Sequence, residues 1–78
     1  MQQRKNIILA YKLKTLRKSR KLTQEQVSII LGLNRSTYAY YETGRHIPNI
    51  FTLQQIAILY GISMDSLLRA TKKNADQY

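Results

Sequence analysis

Three glycines, Gly32, Gly44 and Gly61, constrain this chain more than any other feature. Each ends a stretch of eight to eleven residues with helical character, and each is followed by a small polar residue before the next such stretch: Asn34, Asn49 and Ser63. Glycine adopts the left-handed backbone conformation that closes a helix at no steric cost, and a short polar side chain accepts a hydrogen bond from the free N–H groups that open the next one. This punctuation predicts helices over Gln24 to Leu31, Arg35 to Thr43 and Ile50 to Tyr60, with a short final helix after Ser63. Thr23 caps the first of these and forms a capping-box pattern with Gln26. Upstream, Leu9, Leu13 and Leu16 recur at i, i+4 and i+7, which places an apolar stripe on a helix of roughly Ile7 to Ser19. No stretch alternates apolar and polar residues over a β-rich composition, and the single proline, Pro48, falls in a loop. The fold class is therefore all-α, a bundle of five helices.

A length of 78 residues accommodates one domain, residues 1–78, with a core of about 7–71; Met1 to Asn6 and Lys72 to Tyr78 lack apolar periodicity and are expected to fray. The absence of cysteine excludes a disulfide scaffold, a thiolate metal site and a cysteine nucleophile, and fits a cytoplasmic protein. No apolar run, Ile7 to Tyr11 included, approaches the length of a membrane span. His46 is the sole histidine, so no metal or proton-relay cluster forms around it, and no cofactor is expected. With no nucleophile-base pair and no phosphate loop, an enzyme is not expected either. Thirteen Lys and Arg stand against four Asp and Glu, a net charge of +9, which calls for a polyanionic partner. Eight of the basic residues lie between Arg4 and Lys21 without an acid among them.

The helices Thr23 to Leu31 and Asn34 to Thr43 are separated only by Gly32 and Leu33, the spacing of a helix-turn-helix. At about 100° per residue, Tyr38 and Tyr41 share one side of the second helix while Arg35, Ser36, Ala39 and Tyr40 share the other. Tyr38 and Tyr41 read as core. Ser28, small and in mid-helix, lets the second helix approach, with Val27, Leu31 and Leu33 lining the joint.

The segments Leu22-Thr23-Gln24-Glu25-Gln26-Val27, Leu31-Gly32-Leu33-Asn34-Arg35-Ser36-Thr37-Tyr38 and Tyr41-Glu42-Thr43-Gly44-Arg45, with Pro48, resemble the phage-repressor and Cro type helix-turn-helix family, often called the XRE family. Ile56-Ala57 and Gly61 to Leu68 resemble the last two helices of the same lambda-repressor-like domain. The resemblance covers roughly Leu9 to Leu68 and implies operator binding on double-stranded DNA, usually as a homodimer on a two-fold symmetric site. It implies a phosphate contact from Gln24, base-edge contacts from Arg35, Ser36 and Tyr40, with Thr37 beside them, and a backbone contact from Arg45. Arg17 and Glu42 match a pair that forms a buried salt bridge in several relatives.

The side-chain chemistry agrees with these roles. Arg35 presents a planar fork suited to guanine O6 and N7, whereas Ser36 donates or accepts and discriminates weakly. Tyr40 is suited to a thymine methyl, to a phosphate, or to half-burial against a neighbour. Lys21 stands where many relatives carry glycine, so the turn after the first helix is expected to be strained or differently shaped. Apolar residues occupy positions the family keeps polar: Ile7, Ile8, Tyr11, Ile29, Ile30, Phe51 and Ile58. Phe51, Ile58, Met64, Leu67 and Leu68 are expected to form a dimerisation surface, unless the N-terminal residues fold over it. The leading expectation is a transcriptional regulator acting as a repressor. The alternative is an antitoxin or accessory regulator whose main partner is another protein. Membrane-surface binding fits less well, because Lys12, Lys14, Lys18 and Lys21 lie around more than one helix face.

Overall fold

The structure, a computed structural model, describes residues 3–69. Among the described residues five α-helices follow one another: α1 Gln3–Ser19, α2 Gln24–Leu31, α3 Arg35–Thr43, α4 Ile50–Tyr60 and α5 Met64–Leu68. No strand occurs among the described residues. The local chemistry that sets these boundaries is in place at every junction. Thr23, Asn34, Asn49 and Ser63 each adopt extended backbone and accept a hydrogen bond from the N–H three residues on. Gln26 completes the capping box by accepting from the Thr23 N–H at 2.8 Å. Gly32, Gly44 and Gly61 close α2, α3 and α4 with φ of 72°, 81° and 67°. The turn after α1 has the same left-handed closure without a glycine: Lys21 has φ 59°, and the Leu22 N–H reaches back to the Arg17 carbonyl at 3.2 Å. A side chain in this conformation meets its own backbone, so this corner carries the strain that the sequence suggests.

α3 packs on α1 and α2, α4 packs on α2 and α5, and α5 returns to α1. Leu13, Val27, Tyr38, Ile56 and Leu67, one from each helix, are fully buried and meet in a single core. Burying a side chain of this size stabilises by about 1.5–3 kcal/mol. Ser28 is buried where α2 meets α3, and the Leu33 N–H bonds its carbonyl at 2.8 Å.

Three expectations change. α1 begins at Gln3, so Gln3 to Asn6 continue the helix and do not fold back; Phe51 and Ile58 stay uncovered. The polar character of these residues hides the helix from an apolar-periodicity reading. The buried line of α1 is Ala10, Leu13 and Arg17, while Leu9 and Leu16 flank it half-buried. Leu67 is a core residue and not part of a surface, and Met64 leans on the core as well, so of the α5 residues assigned to dimerisation only Leu68 is exposed. The phase of α5 is the cause: in a helix this short, one residue faces inward and its neighbour outward. Lys72 to Tyr78 lie outside the described residues.

Candidate nucleic-acid interface

α3 divides cleanly by helical phase. Tyr38, Tyr41 and Glu42 are buried, Arg35, Ser36, Tyr40 and Thr43 are exposed, and Thr37 and Ala39 lie at the boundary. The outward side is therefore a polar stripe along the whole helix, bounded at its start by Arg35 and just beyond its end by Arg45. Thr37 is committed through its backbone, donating its N–H to the Asn34 side chain at 2.9 Å, which leaves its hydroxyl beside the stripe.

The inner side contains a charge as well as rings. Arg17 of α1 grips Glu42 with both arms of its fork, Nε to Oε2 at 2.7 Å and Nη2 to Oε1 at 3.0 Å, and donates its remaining Nη1 to the Leu22 carbonyl at 2.9 Å. The pair expected from the sequence is thus formed. Gln24 adds a third donor, Nε2 to Glu42 Oε1 at 3.1 Å. Burial alone would raise the Glu42 carboxyl, but the hydrogen bonds from Arg17 and Gln24 and the guanidinium charge outweigh it and hold it below the ordinary carboxylate range. The Glu42 hydrogen bond in turn raises Arg17 further above its already high value, against the opposing effect of burial. The hydroxyls of Tyr38 and Tyr60 are buried outside hydrogen-bonding geometry. Burial, and then the nearby carboxylate, lifts Tyr38 far above the ordinary tyrosine range. Burial likewise raises Tyr60. Arg17, Gln24 and Glu42 are pinned to one another, so the rotation of α3 about its own axis is fixed by directional bonds.

Two features were not anticipated from the sequence. Arg20 turns inward: its Nη2 donates to the Tyr60 carbonyl at 2.7 Å, with the guanidinium 5.6 Å from the Tyr60 ring. Part of the basic block therefore ties α1 to the end of α4, where the helix dipole favours a cation. Gln24, assigned to phosphate, spends its side-chain amide on Glu42. The Thr23 hydroxyl takes the Gln26 N–H and the Thr23 carbonyl takes the Val27 N–H, leaving the Gln24 and Glu25 N–H groups, which the helix itself cannot pair, at the start of α2.

Beyond α3 the chain turns sharply. The Arg45 and His46 N–H groups both donate to the Tyr40 carbonyl, at 3.0 and 3.3 Å, and the Thr43 hydroxyl donates to the same oxygen at 3.0 Å. This brings the Arg45 guanidinium to 5.2 Å from the Tyr40 ring and the His46 ring to 5.1 Å from it. The signal was available in the sequence: a glycine-closed helix end folds residue i+5 back onto residue i. Among the described residues no cluster of three or more His, Cys, Asp and Glu side chains could hold a metal ion, and no helix is long and apolar enough to cross a membrane.

The helix-turn-helix family matches residues 13–67. The chain belongs to this family. It is 33% identical over 66 residues to the cryptic phage CTXphi transcriptional repressor RstR of Vibrio cholerae, an alignment spanning 85% of this chain and 60% of that protein. It is 34% identical over 65 residues to the SPbeta prophage-derived HTH-type transcriptional regulator YonR of Bacillus subtilis, spanning 83% of this chain and 60% of the relative. The chain thus accounts for about three fifths of the length of these regulators. In structure it resembles the restriction-modification controller protein C.AhdI from Aeromonas hydrophila, with a TM-score of 0.76 and 23% identity over 83% of this chain and 94% of that one. That likeness concerns the fold. The relatives that share the sequence are transcriptional regulators and not enzymes.

Proposed function

We propose that this chain binds double-stranded DNA sequence-specifically and represses transcription by occupying an operator, acting in the cytoplasm as a homodimer. The observation that carries the reading is the outward stripe of α3, held in one rotational setting by the buried Arg17–Glu42 pair and flanked by exposed cations. A helix presented this way suits a major groove, in which residues near the helix start reach base edges. Arg35 then reads a guanine, while Ser36 and Thr37 make weaker contacts at the same end. The two free N–H groups opening α2 take a phosphate, with the Gln24 side chain serving Glu42. Arg45 takes a second phosphate where the chain leaves α3.

The homodimer rests on the outer face of α4. Phe51 and Ile58 lie seven residues apart, within about 20° of one another around the helix and opposite the buried Leu53, Ile56, Ala57 and Tyr60. Phe51 is 74% exposed and Ile58 66%, and Ile47, Ile50 and Leu68 are exposed too. With about 4 to 5 phosphate contacts per subunit, the dimer's log affinity falls against log salt with a slope of roughly −7 to −9.

Selection of bound duplexes from a random library tests the reading most directly. A two-fold symmetric consensus with half-sites about one helical turn apart is the expected result. Recovery of unenriched sequence, or an affinity indifferent to salt, rejects it. Sedimentation of the double variant Phe51→Glu, Ile58→Glu checks the dimer: the wild type sediments as a dimer and the variant as a monomer, and an identical monomeric profile for both removes the interface.

A second reading, an accessory regulator with a protein partner, draws on a different surface. Ile29 and Ile30 are exposed on α2, 69% and 55%, opposite the buried Val27 and Ser28. Co-purification of a second protein that is lost in Ile29→Ser, Ile30→Ser supports it, whereas a homodimer with tight operator binding and no such partner does not.

A further inference from the structure

We propose that Tyr40 is a positioning residue for Arg45 and does not read a base: its ring is the platform on which Arg45 is held against the DNA backbone, with His46 bracing the ring from the following turn. The proposal rests on the DNA-binding reading above and assigns a different task to one residue of that interface. Three observations lead to it. First, the ring is already engaged, with the Arg45 guanidinium 5.2 Å from its centroid and the His46 ring 5.1 Å away at 50°. Second, the Tyr40 carbonyl accepts from the Thr43 hydroxyl and from the Arg45 and His46 N–H groups, so the loop carrying both side chains is folded around this one residue. Third, Tyr40 is sixth of nine residues in α3, about 7.5 Å along the axis from Arg35. With base contacts concentrated at the start of a recognition helix, that distance moves Tyr40 towards the sugar-phosphate edge.

An arginine side chain free to rotate loses several rotors' worth of freedom when it takes a phosphate. Resting on an aromatic face, Arg45 has given up part of that freedom before DNA arrives, and it remains a donor because stacking uses the face of the guanidinium and leaves its N–H groups in plane. The chemistry requires a ring at position 40 but no hydroxyl.

The test compares Tyr40→Phe, Tyr40→Leu and Arg45→Ala in the full chain, on a selected duplex and on an unrelated one, after circular dichroism has verified equal helicity. Tyr40→Phe is expected to bind within twofold of the wild type. Tyr40→Leu should weaken both duplexes alike, about two- to fivefold per subunit, the strength of an exposed cation–π contact. In the Arg45→Ala background the same leucine change should cost almost nothing. In the free protein, the Arg45 side-chain proton resonances should carry a ring-current shift that Tyr40→Phe keeps and Tyr40→Leu removes. A changed base preference in Tyr40→Leu, a loss with Tyr40→Phe equal to that with leucine, or an undiminished leucine effect without Arg45 overturns the assignment. A wild type that shifts Arg45 as expected yet binds no duplex overturns the DNA reading, and the assignment with it. A duplex-binding wild type with no such shift overturns the assignment alone.

Discussion

α3 and α4 are neighbours in sequence and similar in length, but they are seated by different forces. α4 buries Leu53, Ile56, Ala57 and Tyr60 against the core, with Arg20 bonded to the Tyr60 carbonyl at its end. α3 buries two tyrosines and adds a carboxylate held by donors from Arg17 and Gln24. Apolar burial is non-directional: it fixes that a helix is covered while tolerating small rotations about its axis. A forked guanidinium on a carboxylate tolerates none. The helix that must aim its outer face carries a forked charge contact on its buried side, whereas α4, whose outer face is itself apolar, has a charged donor only at its last residue, where Arg20 meets the Tyr60 carbonyl.

This contrast can be broken most forcefully at Glu42. Glu42→Ala leaves Arg17 buried without its partner and should cost about 3–5 kcal/mol in urea unfolding. Replacing both with Arg17→Met, Glu42→Leu should recover most of that loss while DNA affinity stays low, because coverage returns without the aim; full recovery of affinity would show that apolar burial alone aims α3. On α4, Ile56→Ala opens a cavity and should cost about 2–5 kcal/mol, with the folded fraction still binding DNA at wild-type affinity. Arg35→Ala should reduce binding to the selected duplex by about 1–3 kcal/mol and relax one base position, with unfolding unchanged, as measured by titration and repeated selection. Acid sharpens the same contrast. The Glu42 carboxyl is lower in the folded than in the unfolded chain, so its stabilisation is complete above the ordinary glutamate value of about 4.3 and is lost as pH falls through the lower folded value. Urea midpoints across that range should fall with acid in the wild type and hold more nearly level in the Met/Leu double variant. The smallest effect belongs to the corner of α1, where Lys21→Gly should stabilise by up to about 1 kcal/mol, the relief of a left-handed side chain set against the glycine's greater freedom when unfolded.

The sequence was most legible where the determining chemistry is local. The caps at Thr23, Asn34, Asn49 and Ser63 and the glycine closures act within four residues, so each could be read directly from the chain. The two faces of α3 follow from helical phase, and the Arg17–Glu42 pair from family resemblance. Arg20 reaching the Tyr60 carbonyl, and Gln24 turning to Glu42, depend on how separate helices pack, which no window of sequence contains. The Arg45, Tyr40 and His46 cluster lies between these cases, being local but formed through a turn, where distance along the chain misrepresents distance in space.

α5 has five residues, too few to persist as a helix in isolation. Its one capped turn stays wound because Leu67 inserts into the core between α1 and α4. The amide protons of this turn should therefore exchange with solvent through local opening, faster than those of α4, whose protection extends to the unfolding of the whole domain. Among the described helices α5 is therefore expected to open most readily, with Leu67 setting how often.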